Sequence, residues 1–261
     1  MKEMLQELIQ YRHLLYMLTW RDIKIRYKQS VMGFLWAIFM PMMIVAAGIL
    51  IKKAFSMLSG KPMDLVQIVS VSVKALPWAF FVGSIRFSTY SLTGNMNLVT
   101  KIYFPREVFP ISATFANLFD FTVASSLLIV VLFFARIGIS IYVLWVPLLL
   151  VVLILITIGL SMILACANLF FRDVKYIVEV ILTFGIFFTP VFYEASMFGR
   201  WESILLLNPV GAILEAINAV VVLHQAPNLY WVVYSAIWAV VGSLLSWTIF
   251  HKAEFAFAEN I

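Results

Sequence analysis

The chain has 261 residues, of which 64% are hydrophobic and only 12% charged, with a formal net charge of +5. This excludes a soluble domain of ordinary composition, in which about a quarter of the residues are charged. One cysteine, Cys166, excludes an intrachain disulfide, and His13, His224 and His251 lie too far apart for an HExxH metal motif.

The first 29 residues carry charge throughout and lack an uninterrupted apolar core, so they are expected to stay on the protein rather than be cleaved as a signal peptide. Met4, Leu8, Tyr11, Leu15 and Leu18 recur at spacings of four and three, which predicts an amphipathic helix over this region. Its charged end holds Arg21, Asp22, Lys24, Arg26 and Lys28. Two readings stand: a basic anchor on anionic lipid, at about 1 kcal/mol per basic residue, or a structural helix packed beside the first span and touching a cytoplasmic partner.

Six later stretches have the roughly 20 apolar residues a helix needs to cross about 30 Å of hydrocarbon. They are 33–51, 75–98, 108–135, 142–169, 176–193 and 229–250. A barrel would instead alternate apolar and polar residues over about ten positions. Lys2, Arg12, Arg21, Lys24, Arg26, Lys28, Lys101, Arg106, Arg172, Lys175 and Lys252 fall on one side of this arrangement. Lys52, Lys53, Lys61, Lys74, Arg136 and Arg200 fall on the other. The richer side is cytoplasmic by the positive-inside rule, which puts both termini in the cytoplasm. Trp78, Trp145 and Trp231 then mark the outer starts of spans two, four and six.

Between the second and third spans lies a charged island, residues 97–110. Asn95 or Asn97 can cap a short helix there, and Pro105 ends it, leaving a stub of about 12 Å. Tyr103 and Phe104 are read as anchors, with Asn97, Lys101, Pro105, Arg106 and Glu107 around them, a surface able to seat a partner. A plain positive-inside turn explains Lys101 and Arg106 but leaves the aromatics without a reason.

Arg86 and Asp120 sit at one depth, about 21 to 22 Å above this loop. They are expected either to pair across spans two and three or to face a wet conduit separately. Phe34, Trp36 and Phe39 in span one, with Phe184, Phe187, Phe188, Phe192 and Tyr193 in span five, have spacings that could line a path for sugar faces; lipid contact and packing are the alternative. Residues 194–228 contain two apolar pieces, 204–214 and 216–223, each too short to cross, which suggests a re-entrant outer hairpin acting as a gate.

Three stretches carry a family resemblance. They are Thr19 to Trp36 followed by Pro41; the island segment Lys101 to Glu107; and Phe171-Arg172-Asp173-Val174 with Phe187 to Tyr193 and Leu207-Asn208-Pro209. In this order they resemble the permease subunits of ABC-type polysaccharide exporters, the family that moves O-antigen, teichoic acid and capsule chains. Glu194 stands where a proline is common in relatives, and Asn218 where a basic residue is expected.

The resemblance implies an all-α integral membrane protein: an N-terminal interface helix in 1–32, then a six-span domain in 33–261 with a short coupling helix and an outer hairpin. It further implies a homodimer in the bacterial inner membrane, seated on two ATPase subunits that bind ATP and Mg, and moving lipid-linked polysaccharide, O-antigen first. This chain is expected to bind no cofactor, metal or nucleic acid. Its one Gly-Lys pair, Gly60-Lys61, has Phe55 where a phosphate loop needs its first glycine and Pro62 after the lysine. The competing classes are an intramembrane transferase on lipid-linked sugars and a multidrug or lipid exporter of similar build.

Overall fold

The computed structural model describes residues 2–28, 33–59, 65–101, 104–134 and 136–257, and among them every regular element is helical. In chain order these are α1 (Lys2–Gln10), α2 (Arg12–Lys28), α3 (Trp36–Ser59), α4 (Leu65–Thr89), α5 (Met96–Lys101), α6 (Val108–Phe134), α7 (Val146–Phe170), α8 (Val174–Phe188), α9 (Glu202–Leu206), α10 (Pro209–Val221) and α11 (Leu229–Phe257). Five of them, α3, α4, α6, α7 and α11, are long and apolar enough to cross a membrane. The fifth expected span, 176–193, is the 15-residue α8, about 22 Å long, which stops where Thr189-Pro190 leaves helical geometry.

α4 is the hub of the bundle, packed by α3, α6, α7, α8 and α10. It begins about ten residues earlier than the 75–98 stretch read from hydropathy. The difference is Lys74, which breaks the apolar run yet lies fully buried within the helix. Trp78 is consequently a core residue stacked on Phe81, with centroids 5.6 Å apart, and not an interface belt residue.

α7 and α11 approach closely because small residues meet. A Cβ on Gly159 would lie 3.2 Å from the Ser243 backbone, and the Ser243 hydroxyl donates to the Leu155 carbonyl at 2.9 Å. Gly159→Leu is therefore expected to force the two helices apart and cost about 1 to 3 kcal/mol by overpacking, read as a lower unfolding temperature in detergent.

Polar caps fix the ends. Asn168 of α7 donates to the Thr89 carbonyl at the end of α4 at 2.9 Å and accepts from the Lys175 amide at the start of α8. Asn208 accepts from the Val210 amide and donates to Thr189 at 3.0 Å, so one side chain starts α10 and ties it to the end of α8. The two apolar pieces expected at 204–214 and 216–223 are a single main helix, α10, preceded by the short α9. α10 is buried along most of its length against α4, α7 and α11, a packed element of the bundle rather than a surface loop.

Both chain ends gather on one end of the bundle. Leu18 of α2 and Phe250 of α11 share a buried cluster with Leu92, Val99 and Phe104 of the α4–α6 connection and Phe109 of α6. α2 meets the start of the first span at Gly33–Leu35 but packs mainly elsewhere. It runs along the first half of α6, with Asp22 reached by the Ser112 hydroxyl at 3.4 Å and Arg26 alongside Asn117.

Candidate functional site

A cleft of about 880 Å³ opens between α3, α4, α6 and α8, a volume within the range of ligand pockets. Pro41, Ile44, Leu76, Phe80 and Phe121 make it apolar over most of its wall, while charges gather where α2 ends. There Arg26 donates to Asp120 at 2.8 Å and to Asn117 at 3.1 Å, and its guanidinium lies 3.8 Å over the Phe87 ring. Tyr27 donates to the other Asp120 oxygen at 2.6 Å. Burial, then the Asp120 carboxylate, push the Tyr27 phenol well above its ordinary range, so it stays protonated and remains a donor.

The expected Arg86–Asp120 pair does not form. Arg86 donates instead to Glu179 of α8 at 2.7 Å. Equal depth sets the height of a residue on its helix but not the face it occupies, and these two residues meet different neighbours: α8 for Arg86, α2 for Asp120.

Of the aromatics read as a path, Trp36, Phe187 and Phe192 line the cleft. Phe39 stacks edge-on against Trp36 at 5.4 Å, and Phe39, Phe184 and Phe188 are exposed outside it. Phe192 is buried against the first span, where a Cβ on Gly48 would meet its ring at 2.7 Å. Tyr193 bonds back to the Phe187 carbonyl at 3.0 Å. Tyr103 and the side chains of Phe34 and Lys101 lie outside the described residues.

The island is built differently from a free contact surface. Its helix α5 has six residues, and Asn95 donates back to the Ser91 carbonyl at 2.7 Å instead of capping it. Asn97 is exposed. Phe104 is buried on Phe109, with centroids 5.4 Å apart, because an aromatic ring loses more by hydration than it gains as an outward anchor. Glu107 is 3% exposed, and Arg106 is turned to the last helix, donating to the Glu254 carbonyl at 2.9 Å with its guanidinium 3.8 Å from the Glu254 carboxylate. His251 lies 3.7 Å from both Glu107 and Glu254. These last three offer ligand atoms within 4.8 Å of one another, so a cation here would compete with Arg106 for Glu254.

Burial pushes the Glu107 carboxyl above its ordinary range, Glu7 of α1 adds to the rise, and His251 opposes it. A carboxyl raised on folding makes the folded state less stable as pH climbs from the ordinary to the raised value. Glu107→Gln is therefore expected to melt about 2 to 4 °C above wild type at pH 8, the shift that accompanies about 1 kcal/mol in a chain of this size. The gap closes toward pH 4.5, where both side chains are neutral.

On the interface helix, Arg21 is paired with Asp22 at 2.8 Å, Lys24 lies 5.4 Å from the Trp20 ring, and Lys24 and Lys28 are exposed. Three ion-pairing acids are not picked out by the sequence reading: Glu179, Glu215 and Glu254. Each is an acid within an apolar stretch, the signal that marks a paired or functional charge in a membrane helix. At the opposite end of the bundle from the chain termini, Glu215 of α10 reaches Lys74 at 3.3 Å and accepts from the Ala195 amide at 3.0 Å, while Lys74 also donates to the Tyr193 carbonyl.

These features define a polytopic helical membrane protein with a ligand-sized, charge-floored cleft between its spans. Residues 13–222 match the ABC-2 type transporter family, and the chain belongs to that family, a class of membrane-spanning transport subunits. It is similar to the O-antigen export system permease protein RfbA of Myxococcus xanthus, 29% identical over 264 residues covering 100% of both chains. Two Klebsiella pneumoniae proteins of the same name are 27% and 26% identical, each covering 94% of both chains.

Proposed function

We propose that this chain is the permease of an ATP-driven exporter that carries lipid-linked polysaccharide, most simply O-antigen, out of the cytoplasm. The observation that carries the reading is similarity along the whole length to permeases named for O-antigen export. Teichoic acid and capsule chains are the neighbouring substrates of the same class. Two copies in the bacterial inner membrane, termini in the cytoplasm, would enclose the path, with the exposed face of α8 (Ile177, Val180, Ile181, Phe184 and Phe188) turned to the second copy.

ATP and Mg belong to two partner ATPase subunits. Asn97 is exposed at the end of the bundle where such a subunit would seat, while the exposed Lys24 and Lys28 lie on the part of α2 that climbs from there to the cleft floor. Movement of the island would pass through Phe104 and Arg106 into α6 and α11, and through α2 to Asp120 at the cleft floor. Two exposed aromatics of the cleft, Trp36 and Phe187, offer flat faces against which sugar rings slide without tight binding.

Depletion of the protein in growing cells tests this reading. Lipid-linked polysaccharide should accumulate on the cytoplasmic face while surface glycan falls. Unchanged surface glycan would overturn it.

A further inference from the structure

A second cleft, of about 1010 Å³, runs between α4, α6, α7 and α10 at the end of the bundle away from the chain termini. Val73, Leu76, Phe121, Leu128, Leu132 and Leu150 give it an apolar interior. Along α6 it extends from Phe121 to Phe134, 13 residues or about 20 Å. That is enough for the roughly 15 Å of hydrocarbon contributed by one leaflet.

One charged residue lines it. Arg136 follows the end of α6 with φ of 54°, a left-handed conformation that a non-glycine residue adopts only at an energetic cost. Its side chain is exposed at the rim and forms no ion pair among the described residues. Around it Phe133, Phe134, Ile139 and Ile141 are 79%, 78%, 91% and 76% exposed. Four large apolar side chains this bare belong in lipid rather than water. The rim therefore meets the membrane, and the unpaired guanidinium there calls for a phosphate oxygen.

We propose that this cleft binds an anionic phospholipid from the leaflet opposite the termini, an acyl chain between α4, α6 and α7 and its phosphate on Arg136. A second copy of the chain would have to bring an acid to the same rim among apolar contacts. A phospholipid supplies both parts in one molecule. The site shares only the Leu76 and Phe121 wall with the charge-floored cleft and none of its charged residues, and the proposal needs only that the helices be in a membrane, not any particular cargo.

The test uses the full-length protein in nanodiscs of equal phosphatidylglycerol and phosphatidylcholine, released into mild detergent and weighed by native mass spectrometry. Wild type is expected to retain phosphatidylglycerol in preference to phosphatidylcholine. Arg136→Gln should lower its retention about fivefold, the effect of one basic residue near a phosphate, while Arg136→Lys keeps most of it. Leu128→Trp, which fills the cleft without touching the charge, should lower retention of both lipids. Equal retention by wild type, R136Q and L128W would overturn the proposal, as would an Arg136→Cys variant that cross-links to a second copy through this rim.

Discussion

Reversing either charge of the Arg26–Asp120 pair should abolish export, and exchanging the two should restore much of it. The pair is largely enclosed, with side-chain exposures of 15% and 21%, and each partner is held further, Arg26 by Asn117 and Asp120 by Tyr27. Removing one member of such a pair strands the other, a loss of roughly 3 kcal/mol, at the low end for buried pairs because some solvent reaches this one. The loss falls on the docking of α2 against α6, so it should appear as new protease cleavage near residue 28 as well as lost export. Exchanging Arg86 with Asp120 should rescue nothing. Exchanging Arg86 with Glu179 should rescue fully but from a smaller deficit, about 1 kcal/mol or less, since that pair is 43% and 35% exposed. Rescue by the Arg86–Asp120 exchange would mean that α2 leaves the cleft in the membrane.

The larger structural penalty is expected at the other end of the bundle. Lys74 is completely enclosed and holds three elements at once: its own helix α4, the Tyr193 carbonyl after α8, and Glu215 of α10. Lys74→Met leaves a carboxylate facing an apolar replacement, with the Ala195 amide as its remaining hydrogen-bond donor among the described residues. A loss of about 3 to 5 kcal/mol follows from breaking a buried pair from one side, enough to remove most of the folded protein from detergent extracts. The double variant Lys74→Met, Glu215→Leu removes both charges and should recover the yield, because well-packed apolar pairs replace buried ion pairs with little loss. If α10 is the outer gate, the double variant folds but leaks small ions through the reconstituted protein without ATP. A double variant as unstable as the single one would show that the pair is not what binds α10 to α4.

How much of this was legible in the sequence depends on whether a residue acts through its own helix or through another. Apolar run length located five spanning helices and their order, but reading an apolar piece over 204–214 passed over the cap at Asn208-Pro209 that starts α10. Charges inside spans were misplaced for one shared reason. An isolated lysine breaks a hydropathy window, which places Lys74 in a loop, and equal depth offers Arg86 and Asp120 as a pair or as separate charges on a conduit, of which the pair does not form while both line the cleft. In each case the true partner, Glu215 or Glu179, sits on a helix more than ninety residues away. The island was legible as a short helix and illegible in its orientation. An aromatic beside charges reads as a contact, yet Phe104 turns inward because Phe109, five residues later, offers it a ring to pack on.

The link between cleft and island also follows from tertiary contacts. α2 touches both ends of the path, Leu18 in the cluster that holds Phe104 and Arg26 at the cleft floor. An amphipathic pattern predicts that such a helix has an apolar face but not which span receives it.

Reconstitution measures transport itself. With the full-length chain and its ATPase partner in inverted vesicles, lipid-linked polysaccharide presented outside should become protected from added glycosidase when ATP is supplied. Protection should be lost with Asp120→Arg and return in the Arg26→Asp, Asp120→Arg exchange. ATP hydrolysis that leaves the glycan fully digestible would contradict a polysaccharide path through this protein.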